Sequence, residues 1–426
     1  MNIKKQIRTL YLYEVVSGFQ IVDLVWVLFL IQRGFSLAEA GIAEGVFHAV
    51  SMCCEIPSGM LSDLAGRRRT LAAAGIVSAL SSFLMIATDF FPVILLAMGM
   101  NAVSYNLVSG TREALTYDSL LEAGQAERYL QVSARQESIY QGLCAVTGLI
   151  SVVTIGVGYR AAYLISAGQG LCCAAIAWRL KEAKPSCESE ESSGISAAER
   201  QKSQSGKKNV TVQQAEPLQK NRPGTGLILG SMASELLAHF RQSFLFLAGH
   251  PRMRRRMAVS GGISAGAYLI TMMLQEYLVT LGLQENLVGL PLFAISLFRV
   301  AGAFLGERSG TWSSRAVVWI GGSAAGAAAI ACGAASLPVV VAAAGLVQCM
   351  DQMTALRLEK ENQQEAESRI RATVISVDSM CYSIWMAALS PICGAAAKAF
   401  SVPAAFLGLG LLLLALSCGY AAAKDR

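Results

Sequence analysis

Four apolar stretches of this 426-residue chain carry polar side chains at helical spacing. Tyr13, Gln20 and Asp23 fall on roughly one face of the stretch near 10–31. Asn101, Tyr105 and Arg112, with Asn106 adjoining, do the same near 91–116. Tyr268, Gln275 and Glu276 lie near 257–280, and Gln348, Asp351 and Gln352 near 337–357. Arg299 sits deep in a fifth stretch, near 286–306. A charge or amide in hydrocarbon is costly, so such a group faces a cavity, a partner or a solute pathway. The chemistry open to this set is binding a polar solute and carrying a proton.

A plainer reading stands beside each assignment. Asp23 either handles solute and protons or is a structural acid bonded to a neighbouring helix. Arg112 and Glu113 lie close enough to a helix end to snorkel to headgroups. Glu276 is placed near an outer mouth, in water, and Glu14 reads as structural. Arg299 is expected to pair with an acid such as Asp351, while Glu44 and Asp378 stay unassigned.

Enzyme chemistry finds little support. There is no G-x-S-x-G, H-E-x-x-H or P-loop pattern, and His48, His239 and His250 are scattered. Most of the eleven cysteines lie in apolar stretches without a C-x-x-C pair, and read as small core hydrophobes. No catalytic residue, metal site or cofactor is expected. The net charge of +6 does not indicate nucleic acid, because basic residues flank apolar stretches without interleaved aromatics.

The elements that position these side chains follow from hydropathy. Charged residues make up 15% of the chain and apolar residues 54%, and the charges cluster in short islands. Between the islands lie stretches of about 20 residues, the length needed to cross a bilayer as helix. They fall near 10–31, 37–61, 70–88, 91–116, 137–157 and 160–179, then near 257–280, 286–306, 315–334, 337–357, 371–396 and 402–423. The expected fold is an all-α polytopic membrane protein of twelve transmembrane helices in two six-helix bundles, 1–180 and 257–426. Lys4, Lys5 and Arg8 precede an uncleaved first helix. Arginine and lysine gather in one set of loops, which puts both termini in the cytoplasm.

The tract between the bundles, 181–256, divides in two. Residues 181–226 are polar and free of aromatics, the composition of a disordered linker. Over 228–248, Leu236, Leu237, Phe240, Phe244 and Leu247 recur at helical spacing, which predicts an amphipathic surface helix. The alternative is a plain lead-in to the seventh span. The basic cluster Arg252, Arg254, Arg255 and Arg256 follows.

Between the second and third spans runs Gly59-Met60-Leu61-Ser62-Asp63-Leu64-Ala65-Gly66-Arg67-Arg68-Arg69-Thr70. A weaker copy, Gly302 to Gly310 with Glu307 and Arg308, follows the eighth span, and Arg112…Asp118 parallels Arg357…Glu359. Such internal symmetry is what paired six-helix transporter halves leave behind. The run resembles the G-x-L-[AS]-D-x-x-G-R-[RK] signature of major facilitator superfamily transporters, with Glu55-Ile56-Pro57-Ser58 just ahead of it. Ser109–Leu120 and Arg371–Ser376 resemble a bacterial subgroup of the same family.

The resemblance implies a secondary transporter whose spans one, four, seven and ten line the pathway, and the polar stripes fall on those four. It implies a conformational latch of Gly59, Asp63, Gly66, Arg67 and Arg68, with Asp63 meeting the eleventh span near Arg371 and Arg67 bridging to Asp118. The expected activity is proton-coupled efflux of a small organic molecule, by a monomer in the cytoplasmic (inner) membrane. An importer or facilitator of the same fold is the alternative, and a non-transporting scaffold ranks below both. The fifth span departs from the drug–proton antiporter pattern G-x-x-x-G-P-x-x-G-G: Gly142 to Ile150 contains no proline. The early arginine signature of the fourth span is missing as well.

Overall fold

In a computed structural model, residues 2–22, 25–182, 241, 248–365 and 371–423 are described. Asp23, and the linker and surface helix apart from Lys181, Glu182, Arg241 and Ala248, lie outside the described residues, as do the side chains of Arg371–Thr373. The described residues are almost entirely helical, with no strand among them.

The first half contains α1 (Ile3–Ser17), α2 (Trp26–Gln32), α3 (Leu37–Ala65), α4 (Arg67–Ala87), α5 (Phe91–Val108), α6 (Thr111–Glu122), α7 (Tyr129–Val157) and α8 (Tyr159–Arg179). The second contains α9 (Pro251–Thr280), α10 (Gly289–Arg308), α11 (Ser314–Ala331), α12 (Leu337–Glu365), α13 (Arg371–Ala399) and α14 (Val402–Ala422). Among the described residues, ten segments are long and apolar enough to cross a membrane. The expected first span is broken into α1 and α2, and α7, 29 residues long, covers the expected fifth.

Local chemistry sets the helix ends. A Ser36–Glu39 capping box starts α3, satisfying amides that have no intrahelical partner. Gly66, at φ +92°, ends α3 and opens α4 in a left-handed turn that a side chain would strain. Gly110, at φ +74°, divides the expected fourth span into α5 and α6. Arg112 therefore belongs to α6, while Asn101 and Tyr105 belong to α5.

Small residues let the helices approach closely. A Cβ on Gly75 of α4 would stand 2.5 Å from the Gly170 carbonyl oxygen of α8, and one on Gly302 of α10 2.3 Å from that of Cys349 on α12. Across the halves, α3 and α13 pack antiparallel. Gly41 meets Ser390, Gly45 meets Pro391, and His48 meets Tyr382. At the face remote from the termini, α2 packs on α9, α7 packs on α10, and the Tyr159 hydroxyl donates to Glu285 Oε2 at 3.4 Å.

Both ends of the central tract include described residues. Lys181 and Glu182 are held by the first half: the Lys181 amide donates to Gln6 Oε1 at 3.0 Å, and Glu182 caps α4. At the other end α9 begins at Pro251, ahead of the expected 257. The basic cluster is thus the first turns of a long helix, where proline suits the first position.

Candidate functional site

Near the termini, each half is tied by an ion pair with one buried partner. Glu14 of α1 is fully buried and accepts from Arg112 Nη1 at 2.9 Å and from Gln136 Nε2 at 3.1 Å. Arg112 also donates to Glu113 Oε1 at 2.5 Å. It is thus ion-paired within the first half. Arg256 of α9, also buried, donates to Asn362 Oδ1 at 2.8 Å and pairs with Glu365 of α12. The basic cluster gave no hint that one of its members is interior; its position six residues into α9 is the signal that was there to read.

The Gly59–Thr70 run forms a second layer of contacts. Arg67 is ion-paired with Asp118. Glu182 accepts from the backbone amides of Arg67 at 2.6 Å and Arg68 at 3.0 Å, placing an acid on the N-terminus of α4. Arg68 lies 5.1 Å from the Trp178 ring centroid. Gly59 is exposed, with nothing within 4 Å of a Cβ placed there. Asp63 is 75% exposed, with Arg67 Nη2 3.8 Å away.

At mid-depth, the second half holds its polar groups together. Gln348 donates to the Ala267 carbonyl at 2.9 Å and to Thr271 Oγ1 at 2.8 Å, and Ser264 donates to Asp351 Oδ1 at 2.6 Å. The expected Arg299–Asp351 pair does not form: Arg299 donates to Gln352 Oε1 at 3.1 Å. Gln275 is buried with its Oε1 unpartnered, and Glu276 Oε2 is likewise buried rather than in open water. Tyr268 and Tyr105 are exposed, with Tyr105 near the Phe47 ring. Asn101 is half-buried. Asn106 is consumed by Ser51 and the Ala102 carbonyl, both at 2.9 Å. Gln20 also has a bonded or electrostatic partner.

One constellation was missed. Glu44 and His48, one turn apart on α3, are both buried, with Nε2 3.3 Å from Oε1. The His48 ring stands edge-on to Tyr382 of α13 at 5.3 Å, so the group bridges the halves. The Glu-x-x-x-His spacing within an apolar span was the available signal.

Long apolar helices in two packed sets, with ionisable groups kept in their interior, define a polytopic membrane transporter. The Major Facilitator Superfamily profile matches residues 15–358, and the chain belongs to that family. It is similar over 89 residues, at 28% identity, to an uncharacterised MFS-type transporter, YxaM, of Bacillus subtilis (strain 168). That match spans 21% of this chain and 22% of the relative's length. Among solved structures, a variant of the nucleoside transporter NupG superposes with a TM-score of 0.73 at 13% identity, over 98% of this chain and 99% of that one. A bacterial homologue of the human lysosomal transporter Spinster, inward-facing and occupied, gives 0.72 at 13% identity, over 97% and 95%. At such identities the likeness is one of fold.

Proposed function

We propose that this protein is a secondary active transporter that exports a small organic molecule across the cytoplasmic membrane in exchange for protons. It works as a monomer, with both termini in the cytoplasm and the halves 1–180 and 257–426 rocking about the interior site. The observation that carries this reading is the set of buried ionisable groups Glu44, His48 and Asp351, of which Glu44 and His48 lie on the helix that packs across the halves. Groups kept there against their burial cost serve solute or ion handling. The packing of α3 on α13 at Gly41 and Gly394 supports a state closed to the outside.

In this reading Gly59, Asp63, Gly66, Arg67, Arg68, Asp118 and Arg371 form the latch that holds the cytoplasmic ends together in the opposite state. Gln20, Asp23, Asn101, Tyr105, Tyr268, Gln275, Arg299, Gln348 and Asp351 lie along the pathway. Arg112 keeps its charge as a tie to Glu14.

Proteoliposomes test the proposal. A screen of candidate compounds for thermal stabilisation of the purified protein supplies the cargo, because a ligand of the native state raises apparent stability. Its flux should then follow an imposed pH gradient and collapse with a protonophore. Flux indifferent to the gradient removes proton coupling, and accumulation of cargo by energised cells reverses the direction to import.

A further inference from the structure

We propose that Glu44 and His48 are the proton-binding site of this transporter, and that Tyr382 joins them to a polar cavity on the side of the termini. The inference rests on the proton-coupled reading above and assigns its ion to one place. The carboxylate and imidazole are 3.3 Å apart and both buried. The second imidazole nitrogen, Nδ1, is buried with no hydrogen-bond partner. A buried polar atom left unpaired carries a penalty, and in native structures it calls for a functional reason.

The surroundings give the pair two routes. Towards the termini, a cavity of about 240 Å³ is lined by Ser260, Ser264, Glu359, Asp378 and Tyr382. Tyr382 belongs both to that wall and to the ring contact with His48. Ser264 in turn holds Asp351. On the other side lie Gly41 and Gly45, whose missing side chains let α3 lie against Ser390 and Pro391 of α13. That contact is a seal, and Glu44 sits between its two glycines in sequence. The titratable or charged groups within electrostatic range of Tyr382, besides Glu44, are Tyr105 of α5, Asp351 of α12 and Arg299 of α10.

The charge balance supplies the mechanism. Loaded, the pair holds one proton between His48 Nε2 and Glu44 Oε1 and is net neutral. Unloaded, it is an imidazole beside a carboxylate, net −1. A net charge behind a dry seal is costly, whereas a neutral pair is tolerated. Loading from outside therefore favours closure of the α3–α13 seal, and release into the cavity favours its reopening. No bond other than the N–H or O–H carrying the proton is made or broken.

The test reads the seal directly, with protons as the probe. Spin labels are introduced at Gln32 and Lys398, exposed positions on opposite sides of the seal, through an unnatural amino acid that leaves the eleven native cysteines in place. Distance distributions are recorded in lipid nanodiscs between about pH 5 and pH 8. The long-distance population of the otherwise native chain should rise with pH, by about threefold or more across that range. Glu44→Gln and His48→Gln should each flatten the response. Monodisperse elution of both near-isosteric variants shows that they fold, and a loss of packing alone would shift the populations without removing their pH dependence. A response kept in both variants overturns this assignment and leaves proton coupling standing. A native chain that does not respond at all overturns the coupling together with it.

Discussion

Arg112 shows how far a residue's role depends on its neighbours. In an apolar stretch near a helix end it had two readings, pathway lining and snorkelling, and the structure gives it a third. It neutralises Glu14, a fully buried carboxylate 2.9 Å away. Removing one partner of a buried pair strands the other, at a cost of about 3–5 kcal/mol. Arg112→Ala should therefore lower the thermal unfolding midpoint of the purified protein sharply, and Glu14→Gln in the same chain should recover part of the loss. An unfolding midpoint unmoved by Arg112→Ala would mean that the pair does not hold the first half together. Glu182 is the gentler case. As a cap on the exposed N-terminus of α4, its replacement by alanine should cost about 0.5–2 kcal/mol in the same measurement.

Among the elements, α3 carries most of the argument. One helix holds the seal glycines, the Glu44–His48 pair and the Gly59–Asp63 end of the signature run. Its contact with α13 runs from Gly41 on Ser390 to His48 on Tyr382. A Cβ at Gly41 would stand 2.3 Å from the Ser390 carbonyl oxygen, a separation that backbone cannot yield cheaply. Gly41→Val should hold the outer ends apart, seen as a long Gln32–Lys398 distance that no longer closes at low pH. At the opposite end, Asp63→Asn should slow transport without changing the affinity for cargo. Lost affinity with normal cycling in Asp63→Asn would place Asp63 in the binding site instead.

At the scale of the whole molecule, the two halves repeat one device with the charges exchanged. In the first, the acid is on α1 (Glu14) and the arginine on α6 (Arg112). In the second, the arginine is on α9 (Arg256) and the acid on α12 (Glu365). The outer layer is exchanged too: Arg67 at the start of α4 reaches Asp118, whereas Arg357 of α12 donates to the Trp312 carbonyl in the loop after α10 at 3.1 Å. Each tie joins helices of one half only, which is what rigid-body rocking needs. The destabilisations caused by Arg112→Ala and Arg256→Ala should accordingly add to within about 0.3–0.5 kcal/mol, as for independent sites. A larger coupling energy would show that the halves are held as one unit at this face.

The sequence by itself determined the membrane class, the rough place of most spans and the family, because the cost of exposing backbone and charge to hydrocarbon writes those features into runs of about 20 apolar residues. It also marked Arg67 with Asp118, since the signature run and the end of the fourth span carry both residues openly. It misplaced what depends on partners distant in the chain. Arg256 read as a surface charge until Glu365 was beside it, Arg299 found Gln352 rather than Asp351, and Glu44–His48 stayed unassigned. The last case states the reason most directly. Two ionisable groups one turn apart on α3 mean little alone, and only the packing of α13, which brings Tyr382 and the seal against them, decides that they are buried where the halves meet.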